Sequence, residues 1–312
     1  KLVFTAQRRY PGSTSGTGFL YYDNFGTIRA EIPTELKNTN SKVLQIGNHI
    51  FYAVREDLFV LVNNLGYIEN YYQWENQTPY IDYDCDKEKN KILFIVDSKI
   101  YESNAIIGLD LASGDYKEYL NIEKLMDKSM ELDGIQVVDG KDIIVNSKEI
   151  SSIIRINNIY TSPVVRWIIA NENDWKGTKY EVMLLYKRGN FSTQIKQDSL
   201  MYSESRRLTE GQFYLSLFNA TKDMGSLNRN SVLNENQTNN TEENSFYYQY
   251  LVDEGQNRYD LMKKIELPYS SSTCMAMPYG NNVVISLGIN KEFREYNAKG
   301  EVVHYSPFNG KI

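Results

Sequence analysis

One turn signature recurs along this chain and limits what it can fold into. Asp or Asn stands three residues before a glycine in Asp23-Asn-Phe-Gly26-Thr-Ile28, Asn63-Asn-Leu-Gly66-Tyr-Ile68 and Asn297-Ala-Lys-Gly300-Glu-Val302, with a variant in Leu111-Ala-Ser-Gly114-Asp-Tyr116. Glycine falls where a hairpin turn asks for a positive φ, and the flanking residues are β-branched or aromatic, so each copy reads as one hairpin. The copies at Gly26, Gly66 and Gly114 are about 40 to 50 residues apart, the period of four-stranded blades repeated around an axis. The fold class predicted is all-β, a six-bladed β-propeller forming a single domain over residues 1–312. Its blades fall approximately at 1–36, 37–76, 77–126, 127–177, 178–268 and 269–312.

The rest of the pattern agrees. Strand-like runs such as Asp142-Ile-Ile-Val-Asn-Ser147 and Val283-Val-Ile-Ser-Leu287 are common, whereas helical spacing is confined to residues 121–129. The fifth blade is overlong because of residues 221–244, which are rich in Asn, Ser, Thr and Glu. That composition cannot offset the entropy of ordering, so a polar, mobile surface loop is expected there.

Charge and rare residues exclude several classes of function. The formal net charge is −6 and the basic residues are scattered, so a nucleic-acid partner is not expected. No apolar run reaches the length of a membrane span. Only two histidines, His49 and His304, are present, which weakens any mechanism built on imidazole. The two cysteines, Cys85 and Cys274, are expected on opposite sides of a six-bladed ring, too far apart for a disulfide and therefore free thiols. Gly12-Ser-Thr-Ser-Gly-Thr-Gly18 has no following helix and no P-loop lysine, so it reads as a loop. The aromatic groups Tyr71, Tyr72 and Trp74, and Phe246 to Tyr250, read as strand packing.

The chain resembles the bacterial arylsulfate sulfotransferases. The resemblance is carried by Asp142-Ile-Ile-Val-Asn-Ser-Lys-Glu-Ile-Ser-Ser-Ile-Ile-Arg-Ile156, Arg166-Trp-Ile-Ile169, Asp174-Trp-Lys-Gly177 and Gly211-Gln-Phe-Tyr-Leu-Ser-Leu-Phe-Asn219. It implies a six-bladed propeller and sulfuryl transfer between phenols through a histidine nucleophile, helped by further histidines, an asparagine and an arginine. At the matching positions stand Tyr80, Ile81 and Asp82 for a His-His-Asp motif, and Glu131 to Asp133 for His-x-Asn. Asn146, Ser147 and Lys148 replace Ser-Ser-Arg, and Gln197 and Asp198 replace the Gln-His pair that carries the nucleophile. The family's catalytic histidines are therefore expected to be missing, leaving no catalytic residue to assign.

Sulfuryl transfer places negative charge on the transferring oxygens, and a working site answers it with preorganised donors and cations. Here Asp82, Glu131, Asp133 and Asp198 would face a single Lys148. Asp82, Asp84 and Asp86 alternate, so on a strand they project from one face; the plainer reading is a strand entering a solvated turn, and the functional one is a cation site for Ca²⁺ or an amine. An EF-hand loop is excluded, since Lys87 and Leu93 stand where glycine and the bidentate glutamate belong.

The leading expectation is an arylsulfotransferase-like pseudoenzyme without a resident cofactor, an extracytoplasmic binding or structural module. An alternative is an enzyme of the same fold with altered transfer or hydrolysis chemistry, using Asp198, Glu131 or Tyr80 with Lys148. The partner would be a small molecule or a protein, with a homo-oligomer or a surface assembly as further options. Secreted, periplasmic or cell-surface placement follows from the resemblance and from a first residue that is Lys1 rather than Met.

Overall fold

In a computed structural model the structure describes residues 4–9, 17–22, 28–35, 42–74, 80–96, 104–127, 130–220, 244–270, 275–287 and 292–307. The expected polar loop lies, apart from Asn244, outside the described residues, as does Cys274. Among the described residues no helix is long and apolar enough to cross a membrane.

The described strands form antiparallel sheets arranged as a β-propeller. Blade two holds β4 (Leu44–Ile46), β5 (His49–Arg55), β6 (Leu58–Val62) and β7 (Ile68–Gln73). Blade three holds β8 (Tyr80–Asp86), β9 (Lys91–Val96), β10 (Ala105–Asp110) and β11 (Tyr116–Asn121). Blade four holds β12 (Gly134–Val138), β13 (Asp142–Ser147), β14 (Ser152–Asn157) and β15 (Val164–Ile169). In blade five, β17 (Asp198–Ser203), β18 (Gln212–Asn219), β19 (Ser245–Asp253) and β20 (Arg258–Leu267) are joined at the outer edge by β16 (Tyr186–Arg188), parallel to β20. The last blade holds β21 (Met275–Tyr279), β22 (Asn282–Leu287), β23 (Glu292–Tyr296) and β24 (Val302–Pro307).

The expectation of six full blades is corrected to five. The sheet in the place of the first blade, β1 (Phe4–Arg9), β2 (Thr17–Tyr22) and β3 (Ile28–Thr34), has three strands. Elsewhere the turn signature joins the third strand to the fourth, β6 to β7, β10 to β11 and β23 to β24. In the first sheet it falls between β2 and β3, so the counterpart of an innermost strand is what that sheet lacks among the described residues. A hairpin motif reports two strands and cannot count a blade.

The turns themselves follow the sequence. Gly66, Gly114 and Gly300 have φ of 87°, 81° and 82°. Asn63 Oδ1 accepts from the backbone N–H of Leu65 and Tyr67, and Asn297 Oδ1 from those of Lys299 and Glu301. In the variant copy the anchor is Asp110, whose Oδ1 accepts from Ala112 and Ser113, so the signature there starts one residue before Leu111. The expected helix is α1 (Ile122–Met126), capped by Asn121 and ended by Asp127 at φ 52°. A second short helix, α2 (Glu172–Trp175), follows β15.

Each apolar cluster is shared by two neighbouring blades. Phe51, Phe59 and Trp74 pack with Tyr83 and Phe94 between blades two and three. Ile106 meets Ile143 and Ile154 between three and four; Trp167 meets Leu215 and Tyr250 between four and five; Tyr247 meets Ile285 beyond. Strands buried on both faces therefore read as continuous apolar runs. The aromatic groups behave as packing, with Tyr72, Trp74, Tyr247, Tyr248 and Tyr250 buried and Tyr71 exposed. Arg155 adds a polar tie, reaching Asp142 at 2.8 Å, Asp139 at 2.9 Å and, in blade five, Glu254 at 2.9 Å.

Candidate functional site

The first strands of successive blades lie side by side, and a strand at the inner end of its sheet leaves one row of backbone N–H groups without a ladder partner. Asp82 and Asp84 answer that need. Asp82 Oδ2 accepts from Ile135 N at 3.0 Å and Asp84 Oδ2 from Val137 N at 2.8 Å, so two carboxylates of β8 fasten the exposed edge of β12. Asp82 Oδ1 also meets Lys42 Nζ at 2.8 Å. Burial pushes the Asp84 carboxyl up from its ordinary value. Asp86 serves the other end of the strand, accepting from Glu88 N, Lys89 N and the Tyr160 hydroxyl at 2.6 Å. The three aspartates thus hold blades and a turn together, and among the described residues no three His, Cys, Asp or Glu side chains gather as a metal site.

Tyr80 and Ile81 also turn into packing. The Tyr80 ring lies 5.2 Å from Phe59 and 5.7 Å from Tyr83, and Ile81 packs against the core between blades three and four. The imidazoles lie elsewhere. His49 is on β5 with Nε2 2.8 Å from Glu69 Oε2, and His304 is on β24, the outermost strand of its blade.

What converges is a group from three separated segments. Asp133, just before β12, accepts hydrogen bonds from Asn146 Nδ2 and from Lys148 N at the end of β13. Asn146 Nδ2 also donates to Gln197 O at 3.1 Å, and its Oδ1 accepts from Gln197 Nε2 at 2.8 Å. Gln197 Nε2 reaches the carbonyls of Ser147 and Ser152 as well, at 3.2 and 3.1 Å. Lys148 Nζ bonds to Asp198 Oδ2 at 3.3 Å. Ser199, at φ 54°, lies in the register break where β17 begins, directly after Asp198. Glu131 stays exposed at the rim, its backbone N–H donating to Glu149 Oε2.

Burial pushes the Asp133 carboxyl up to about 7, aided by the neighbouring negative charge of Asp198 and opposed by its two hydrogen bonds and by Lys148. Gln197 Oε1 and Ser147 Oγ are buried without a hydrogen-bond partner among the described residues. A water or an ion bound there would satisfy them. The arrangement holds carboxylates, amides and one neutralised lysine. It can exchange a proton near neutral pH, and it offers little to developing negative charge.

Sequence reasoning placed Tyr80, Ile81, Asp82, Glu131, Asp133, Lys148, Gln197 and Asp198 in one candidate group; Asp133, Lys148, Gln197 and Asp198 meet, whereas Tyr80 and Ile81 pack in the core, Asp82 holds β12 and Glu131 stays at the rim. It did not single out the amide ladder of Asn146 and Gln197, nor Ser199, for which a short polar run in the chain gives no signal.

Residues 132–311, more than half of the chain, match the family described as Arylsulfotransferase (ASST), and the chain belongs to that family. Curated protein sequences give no match. Solved structures share the fold at low identity. The β-propeller domain of Cps50 (Swd1) from Myceliophteria thermophila is 9% identical with a TM-score of 0.53, over 100% of this chain and 88% of that one. A putative 6-phosphogluconolactonase from Bacteroides uniformis is 10% identical with a TM-score of 0.54, over 96% of this chain and 80% of that one.

Proposed function

We propose that this propeller is a non-catalytic member of the arylsulfotransferase family, an extracytoplasmic module that binds a small molecule or a protein. The observation that carries the reading is the composition of the converging group: Asp133, Asn146, Lys148, Gln197 and Asp198 occupy it, and neither histidine lies on a first strand of a blade. An aryl sulfate brought there meets two carboxylates and a lysine already bound to one of them, so its oxygens gain no net attraction. The buried, unpartnered Gln197 Oε1 and Ser147 Oγ suit a binding role. Extracytoplasmic placement rests on the family resemblance.

The test is sulfuryl transfer from 4-nitrophenyl sulfate to phenol by the purified protein. No release of 4-nitrophenol above a protein-free blank is expected, and turnover clearly above it would refute the reading. A second reading, altered hydrolytic chemistry, is favoured by Asp133, whose raised pKa of about 7 suits a general base. Each of its oxygens accepts from one donor, which leaves one lone pair on each for a substrate proton. Hydrolysis of the same sulfate ester that Asp133→Asn abolishes would select it.

A further inference from the structure

Blades four and five part beside the turn of residues 148–151 and leave a cleft of about 750 Å³. It is separate from the Asp133 group: Lys148 bonds to Asp198, whereas Glu149 and Ser151 of the same turn line the cleft.

The charges lining the cleft segregate by blade. Blade four supplies Glu149 from the turn, and Glu172 and Asp174 from α2; blade five supplies Lys187 from β16 and Lys196 from the segment entering β17. None of these five side chains forms an ion pair with another described residue. The frame around them is fixed. Gln194, 1% exposed, ties the blades together by donating to Ser151 O at 3.2 Å and Ile169 O at 3.0 Å while accepting from the Tyr250 hydroxyl at 3.1 Å. Lys187 Nζ is held by Phe191 O at 2.7 Å, and Lys196, at φ 48°, donates its N–H to Ser151 Oγ at 3.0 Å. The Lys187 ammonium is thereby fixed on the blade-five wall, and the Lys196 backbone is fixed beside the blade-four turn that carries Glu149.

Such a cleft selects by charge geometry. A simple anion or cation is attracted by one set of charges and repelled by the other, and a neutral sugar meets them through hydroxyl hydrogen bonds alone. A ligand with an ammonium at one end and a carboxylate at the other compensates both, and the volume lies within the usual range for small-ligand sites. We propose that the cleft binds a short peptide with free termini, its ammonium toward Glu149, Glu172 and Asp174 and its carboxylate toward Lys187 and Lys196. This assignment is independent of whether the Asp133 group has lost sulfuryl transfer.

Isothermal titration calorimetry at low salt on the full chain tests it, with triglycine, N-acetyl-triglycine, triglycinamide and sucrose as probes. Triglycine should bind, and capping either end should weaken binding by about tenfold or more. Lys196→Gln should weaken triglycine and N-acetyl-triglycine by a similar factor and leave triglycinamide unchanged. No binding of triglycine, affinity for the capped forms equal to that for triglycine, or tighter binding of sucrose would overturn the proposal. Should the variant unfold, the capped peptides decide the question on the unaltered protein.

Discussion

Raising the pH from 5 to 8 should weaken this fold in a part that can be isolated at one side chain, Asp133. In the unfolded chain its carboxyl ionises at the ordinary value of 3.8, whereas in the folded protein it keeps its proton until about pH 7. Between those values the folded state binds more protons than the unfolded state, so stability falls as pH rises through the interval and levels off above the folded pKa. At about 1.36 kcal/mol per pH unit, the proton contributes about 2.5 kcal/mol at pH 5 and almost none at pH 8. Urea unfolding at pH 5, 6, 7 and 8 on the wild type and on Asp133→Asn isolates this contribution. The asparagine is neutral at every pH, and it leaves at least one of the two N–H donors now on Asp133 without an acceptor, a cost of about 1–3 kcal/mol that does not depend on pH. The stability difference, wild type minus variant, should therefore shrink by about 2.5 kcal/mol from pH 5 to pH 8. Parallel curves would refute the reasoning, because they would mean that the carboxyl is already ionised at pH 5 in the folded protein. Asp198→Asn supplies a second check: with the neighbouring negative charge removed, the window should move to lower pH.

Two more outcomes follow from the geometry. Burial, then Asp84, pushes the Cys85 thiol up to about 12, and only the thiolate reacts readily; in a Cys274→Ser background the native protein should not react with DTNB at pH 8, and should do so once unfolded in urea. Reaction in the native state would show that the thiol is accessible. Millimolar Ca²⁺ should leave the melting temperature where chelator leaves it, because the oxygens of Asp133 and Asp198 already accept from Asn146, Lys148 and Ser199; a rise that Asp198→Asn removes would establish a cation site instead.

Several of the site residues could be named from the chain because the motif positions are local. The lysine at 148 sits two residues beyond Asn146, and Gln197 adjoins Asp198, so a short window carries each pair. Their meeting could not be read there. It depends on β12, β13 and β17 standing together, with Asp198 directly before the left-handed Ser199. The aspartates of β8 show the limit of pattern most plainly. Alternation placed Asp82, Asp84 and Asp86 on one face of a strand, but not what that face meets. The neighbouring strand turned out to be β12, whose unpaired N–H groups claim the first two, while the turn after β8 claims the third.

By itself the sequence determined the β character of the chain, its signature turns and its poverty in histidine, because strand alternation, glycine at positive φ and residue identity are properties of a few consecutive residues. Only the tertiary structure decided that five blades are complete and the first sheet has three strands, that two carboxylates are spent on a blade edge, and that a cleft lined with opposite charges opens between blades four and five. Those outcomes depend on which distant strand becomes the neighbour, and no short window of sequence contains both partners.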